Sequence, residues 1–170
     1  MSFAVRSVHA ACTAQATFAS PLGAMLLART AGGLAGVWFD GQKDHPGVLA
    51  APQHPHDALL AEAAAQLADY FAGRRRVFDL LLDLHGTGFQ RSVWQALLGI
   101  GAGRTRSYGE IARDLGSPNA RRAVGAAVGK NPVSVIVPCH RVIGSGGALT
   151  GYAGGMARKQ ALLTLEGVPL

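Results

Sequence analysis

The stretch SYGEIARDLGSPNARRAVGAAVGK, Ser107–Lys130, decides the fold. Ser107 and Glu110 stand three apart ahead of an apolar run. That is the spacing of a capping box, in which the serine hydroxyl takes the N3 amide and the glutamate reaches back to the serine amide. A helix over Tyr108–Leu115 is expected to follow. Gly116-Ser117-Pro118 then breaks the chain, and Ser117 as cap with Pro118 at the first helical position predicts a second helix to about Lys130. Asn131-Pro132 stops it. Two short helices joined by so tight a turn form a helix-turn-helix pattern. The second helix sets Arg121, Arg122 and Lys130 among the small residues Ala123, Gly125, Ala126 and Ala127, which let a helix backbone approach a neighbour or a groove closely. A plain helical hairpin has the same local signature.

On the C-terminal side, the β-branched run Val133–Val137 predicts a buried strand that delivers Pro138-Cys139-His140-Arg141-Val142 at its end. A glycine-rich loop, Gly144–Gly155, contains Tyr152, and a last helix over Met156–Glu166 ends at Gly167. On the N-terminal side, Thr87 and Gln90 repeat the capping-box spacing ahead of Phe89–Leu98, whose Val93, Trp94, Leu97 and Leu98 should face a core. His85–Gly88 is the expected domain boundary. Before it, a loose start leads into three short strands, Ala14–Ser20, Ala24–Thr30 and Leu34–Asp40, with turns at Ser20-Pro21-Leu22-Gly23 and Ala31-Gly32-Gly33, an antiparallel meander. Lys43–His56 reads as a surface loop. From Asp57 as N-cap a helix runs to Phe71 with Leu60, Ala64, Leu67 and Phe71 as its apolar stripe, closed by Gly73. Arg74-Arg75-Arg76 is a charged turn, and Val77–Leu84 a further strand. No internal repeat is visible. The fold class is α+β, with residues 1–85 a small sheet-plus-helix domain and residues 86–170 mainly helical.

Composition narrows the function. Apolar residues make up 49% of 170, enough for a packed core and against wholesale disorder. Residues 1–85 hold six Lys/Arg against seven Asp/Glu, and residues 86–170 ten against three, so the net +6 arises as −1 and +7. A polyanion contact therefore belongs to the second half, although a solvated basic face fits the charge equally well. Arg6, Ser7 and His9 interrupt the apolar residues at the start, so no signal peptide is expected, and no run approaches membrane-spanning length. The two cysteines, Cys12 and Cys139, fit neither a disulfide framework nor a metal spacing. A cytoplasmic protein of a reducing compartment, without metal or cofactor, is expected.

A cysteine reacts as thiolate, so Cys139 needs a group that lowers its pKa or removes its proton. His140 is adjacent, but neighbours on an extended strand point to opposite faces, which leaves direct contact and a bridging water both open. The imidazole in turn needs an acceptor to fix its tautomer, and Glu166 is a candidate among only three acidic residues of the second half. Taken singly, Cys139 reads as an inert buried residue and His140 as a structural one.

Together the motifs point the other way. From about Gly86 to Gly167 the sequence resembles the O6-alkylguanine-DNA alkyltransferase family. The resemblance rests on Gly86-Thr87-Gly88-Phe89-Gln90, Val93-Trp94, Ser107-Tyr108-Gly109-Glu110-Ile111-Ala112, Arg122-Ala123-Val124-Gly125 and Asn131-Pro132. It continues through Pro138-Cys139-His140-Arg141-Val142, Gly151-Tyr152, Gly154-Gly155 and Leu165-Glu166-Gly167. Ser20-Pro21-Leu22-Gly23 stands at the usual place in the strand-rich first half. The resemblance implies a ribonuclease H-like N-terminal domain packed on a winged-helix-like domain. It also implies a methylated-DNA–[protein]-cysteine S-methyltransferase that acts once per molecule.

By that resemblance, the second helix of the motif enters the minor groove of double-stranded DNA carrying O6-alkylguanine, and the damaged nucleotide is flipped out. Arg122 resembles the finger that fills the vacated stack, flanked by Arg121 and Lys130 at the DNA, with Ala123, Ala126 and Ala127 permitting close approach. Tyr108 resembles the residue that promotes flipping and protonates the leaving guanine. Cys139 attacks the alkyl carbon while His140, a water and Glu166 relay its proton, and Asn131 ties the turn before Cys139 to the helix-turn-helix. Val142, Arg141, Ser134, Tyr152 and Ala153 are implied to surround the base. Ser134 replaces a proline and Ala153 a serine of some relatives, which leaves alkyl-size preference and inhibitor sensitivity open; action on O4-alkylthymine is not decided by the sequence. A monomer is expected, with cooperativity along DNA undecided. Three other readings explain less. A damage-recognition module of the alkyltransferase-like kind has tryptophan where Cys139 stands. A redox-sensing regulator leaves Tyr108 and Glu166 without a task. A cysteine hydrolase would show turnover and a known hydrolase spacing.

Overall fold

A computed structural model describes residues 3–170. The chain opens with helix α1 (Phe3–Ala11), followed by strands β1 (Ala14–Ser20), β2 (Gly23–Thr30) and β3 (Gly33–Phe39), and helix α2 (Ala58–Phe71). Helix α3 (Gly88–Leu98), the short strand β4 (Arg106–Ser107), helices α4 (Tyr108–Asp114) and α5 (Arg121–Gly129), strand β5 (Val142–Ile143) and helix α6 (Met156–Leu165) complete it. The architecture is α+β, as the sequence implied.

The expected antiparallel meander forms, in the order β1-β2-β3, with Thr17 opposite Leu26 and Leu26 opposite Trp38. Asp57 caps α2, its carboxylate accepting from the Leu59 and Leu60 amides, and Gly73 leaves the helix at φ +73°. Both capping boxes are present, Thr87 with Gln90 and Ser107 with Glu110. Leu60, Ala63, Leu67 and Tyr70 of α2 are buried, a face rotated slightly from the stripe read in the sequence. One hydrophobic cluster runs from Met25, Leu27 and Val37 through Leu67 and Tyr70 to Trp94, Val124 and Val137. Both halves of the chain therefore share a continuous core.

Four expectations are corrected. The start is not loose: α1 buries Val8 against Ala28, Ala35 and Trp38. Residues 77–84 are extended but not a regular strand. Only Leu82 bridges to Leu34, through the Leu34 amide to the Leu81 carbonyl and the Asp83 amide to the Leu34 carbonyl. The second helix of the motif begins at Arg121, not Ser117. Gly116 (φ +69°) ends α4, and a turn closed by the Ala120 amide on the Ser117 carbonyl carries Pro118 and Asn119 instead. Finally, residues 133–137 are buried but form no strand. Only Val133 bridges to Val37, and the segment turns through Val135 at φ +73°, a costly region for a β-branched residue.

Candidate active site

The turn that replaces the predicted strand is organised by one side chain. Asn131, at the end of α5, accepts the Val133 amide on Oδ1 (2.9 Å). Its Nδ2 donates to the Val137 carbonyl (2.8 Å) and toward Cys139 Sγ (3.1 Å). Cys139, His140 and Arg141 then form a 3-10 turn rather than a strand end, so the alternation of faces expected for neighbours does not apply. Beyond the turn, β5 pairs in parallel with β4, Arg106 with Val142 and Ser107 with Ile143. That pairing sets the first residue of α4, Tyr108, on the same cavity as the cysteine.

Cys139 and Tyr108 line a cavity of about 430 Å3 together with Ala126, Lys130, Tyr152 and Ala153. Burial pushes the Cys139 thiol up, against the Asn131 hydrogen bond and the charge of Lys159, which pull it down. At rest the sulfur is a neutral thiol. Behind it, His140 is wholly buried. Its Nε2 donates to Glu166 Oε1 (2.8 Å), and its Nδ1 is buried with no hydrogen-bond partner among the described residues. The carboxylate thus fixes the tautomer that leaves Nδ1 a free base. Burial lowers the His140 pKa and outweighs Glu166, so the imidazole is neutral at rest.

Glu166 caps the end of α6 and is the hub of the site. Besides His140, Oε1 accepts Tyr70 Oη (2.7 Å) and Arg141 Nη2 (2.8 Å), and Oε2 accepts Arg141 Nε (2.9 Å). Burial alone would raise its pKa, but the donors His140, Arg141 and Tyr70 hold it well below the ordinary carboxylate range. The carboxylate is charged, and Arg141 neutralises it.

Most residues expected at the site converge here: Cys139, His140, Glu166, Asn131 and Tyr108 at its centre, Tyr152, Ala153, Ala126 and Lys130 on the cavity wall. Arg121, Arg122 and Ala123 lie on the exposed face of α5 beside Ala126 and Lys130. Three expectations are corrected. Ala127 faces the core and not a groove, because Val124, Ala127 and Val128 form the buried side of α5; its carbonyl accepts Trp94 Nε1 (2.8 Å). Arg141 does not surround the base. Its guanidinium turns away to Glu166 and the Ile100 carbonyl. Ser134 does not line the cavity either; its hydroxyl donates to Gln42 Oε1 (3.1 Å). The Val142 side chain is buried, and the sequence reading places only the backbone of this residue at the base.

Other functional contacts carry no local signal in the sequence. Tyr70 reads as core on its helix, yet its hydroxyl meets Glu166 from the opposite half of the chain. Lys43 and Asp44, in the segment that the sequence marks only as a surface loop, line the cavity mouth, and the Lys43 amide donates to the Ala153 carbonyl (2.9 Å). Arg158 fastens the same wall: it donates to the Leu22 and Gly154 carbonyls (2.9 and 3.0 Å) and lies 4.6 Å over the Phe39 ring. Gly154 is required there, since a Cβ would meet the Tyr152 ring at 2.5 Å.

Two family models match this chain. The "6-O-methylguanine DNA methyltransferase, ribonuclease-like domain" covers residues 14–84, and the "DNA binding domain" of the same enzyme covers 88–168. A methylated-DNA–protein-cysteine methyltransferase of Mycolicibacterium paratuberculosis is 49% identical over 88% of this chain and 90% of its own length. One from Methanosarcina acetivorans is 49% identical over 89% and 97%. Among solved structures, Mycobacterium tuberculosis OGT in complex with DNA superposes with a TM-score of 0.82 at 47% identity, over 91% of this chain and 92% of that one. Among the described residues, no helix is long and apolar enough to cross a membrane.

Proposed function

The chain belongs to the 6-O-methylguanine DNA methyltransferase family, and from that premise we propose that it repairs O6-alkylguanine in duplex DNA by moving the alkyl group onto Cys139. The observation that carries this reading is the line from the cavity inward: Cys139 on the wall, His140 with a free Nδ1 behind it, and the charged Glu166 on Nε2. Each group is in the protonation state the reaction needs at its start.

The Cys139 proton passes through a bridging water to His140 Nδ1, and the imidazolium so formed is stabilised by Glu166 through Nε2. The sulfur lone pair attacks the alkyl carbon as the carbon–O6 bond breaks. Its electrons go to the guanine, which takes a proton from the Tyr108 hydroxyl. Asn131, donating to Sγ, holds the sulfur in line. The product is a thioether with no facile hydrolysis route, so one molecule makes one repair. Arg122 enters the stack vacated by the flipped nucleotide, Arg121 and Lys130 meet phosphates, and Ala123 and Ala126 let α5 sit close in the minor groove. Tyr152 and Ala153 close over the base. The site needs one copy of the chain, which acts as a monomer in the cytoplasm, with the division into working halves at residues 85 and 86.

Exchange of Cys139 for Ser tests the assignment. Transfer from an O6-methylguanine duplex should be abolished while the duplex is still bound; transfer that survives the exchange overturns it.

A further inference from the structure

A second cavity, of about 330 Å3, shares no lining residue with the active-site cavity, although Pro138 and Arg141 on its wall flank Cys139 and His140 in the chain. It arises where residues 77–82 run past the end of α3. The segment is extended, so its side chains alternate: Asp79 and Leu81 are exposed, while Phe78, Leu80 and Leu82 turn into the cavity. Leu98 and Ile100 line it as well. Phe78, Leu80 and Leu82 are only half-buried, so the cavity holds apolar surface that the fold itself does not cover.

The charged groups on this wall are two arginines, and no carboxylate lines it. Arg141 has Nε and Nη2 on Glu166 and Nη1 on the Ile100 carbonyl. Arg76 is different. It is exposed, its Nη1 donates to the Glu166 carbonyl at 3.3 Å, and among the described residues no carboxylate pairs with it. Its Nε and Nη2 are left without a partner there, and these are donors that match the two oxygens of a carboxylate.

We propose that this cavity binds a small amphiphilic acid, its carboxylate held by Arg76 and its apolar body covering Phe78, Leu80 and Leu82. An apolar wall beside one open guanidinium selects a ligand that carries both features. A polyanion would satisfy the arginine and leave the wall wet, and a neutral hydrocarbon would do the reverse. The volume stands at the small end of ligand sites, which run from about 300 to 1,000 Å3, and suits a short chain or a single ring.

Isothermal titration calorimetry with hexanoate, octanoate and 1-octanol tests the site. Octanoate should bind saturably, one per chain, and about fifteenfold tighter than hexanoate, since each buried methylene contributes about fourfold. Octanol, which lacks the charge, should bind at least about tenfold more weakly than octanoate. Arg76→Ala should weaken octanoate to the level of octanol, and Arg76→Lys should recover only part of the loss. Because Arg76 is exposed, both variants should melt as wild type does. Amide shifts in NMR spectra should appear at residues 76–82 and 98–102. The proposal is overturned by an absence of saturable binding at millimolar octanoate, by octanol binding as tightly as octanoate, or by an affinity that Arg76→Ala does not change. Shifts confined to the active-site cavity would overturn it as well. None of these measurements uses an alkyl donor, so their outcome is separate from the transfer to Cys139.

Discussion

Replacing Glu166 with Gln removes one charge from the most connected buried group in the site. The carboxylate accepts from Tyr70, His140 and two guanidinium nitrogens of Arg141, and it is 4% exposed. A glutamine presents an amide donor where Arg141 already donates, and leaves that guanidinium buried with only the Ile100 carbonyl. Breaking a buried pair from one side costs about 3–5 kcal/mol. For a chain of this length that lowers the melting temperature by roughly 6–20 °C. His140 loses its orienting acceptor as well, and transfer should slow by about 10²–10⁴. Urea unfolding followed by fluorescence of the buried Trp38 and Trp94 gives the first number, and the rate of Cys139 benzylation at a temperature where both proteins are folded gives the second. A second exchange, Arg141→Met, should recover part of the lost stability, because it removes the orphaned charge. A stability loss under about 1 kcal/mol together with a rate within threefold of wild type would refute the hub assigned to Glu166.

Arg122→Ala should slow repair in duplex DNA more than transfer from free O6-benzylguanine, since only the former needs a nucleotide held out of the stack; equal losses argue against a role in flipping. Asp57→Ala removes the α2 cap and the partner of Arg29, and should cost about 1 kcal/mol in urea unfolding without changing transfer. Stability should also fall with acid in two stages. His140 has a folded pKa below its unfolded value, so the unfolded chain takes up protons first as pH drops below about 6.5. The Glu166 contribution is present above its unfolded value near pH 4.3 and fades as pH falls toward its depressed folded pKa. Urea midpoints from pH 8 to 3 check both, and a flat profile between 7 and 5 contradicts the neutral buried His140.

The parts of this fold that could be read in the sequence are those written in local chemistry. The meander, the Asp57 cap and the two capping boxes each depend on residues within a few positions of one another, and each formed where expected. Residues 133–137 show the limit. A buried apolar run looks the same whether a ladder or a side chain satisfies its backbone, and here Asn131 does so. Helix α1 is held by tertiary contacts, among them Ser7 to His85 (2.6 Å) and His9 to the Pro46 carbonyl (2.6 Å). At the site, the residues proposed as nucleophile and relay, Cys139, His140 and Glu166, stand out in the sequence because they lie in adjacent or motif positions. Arg141 misled for the same reason: its place beside His140 suggested the cavity, while its length and charge take it to Glu166. Tyr70 acts from a helix whose sequence gives no hint of the distant group it meets.

Mass spectrometry of the intact protein and its peptides, after incubation with an oligonucleotide bearing O6-methylguanine, tests the central claim most directly. One methyl group on the peptide containing Cys139, with one guanine restored per protein molecule, is the expected result. A protein that binds the oligonucleotide and remains unmodified would contradict the transfer and leave damage recognition as its activity.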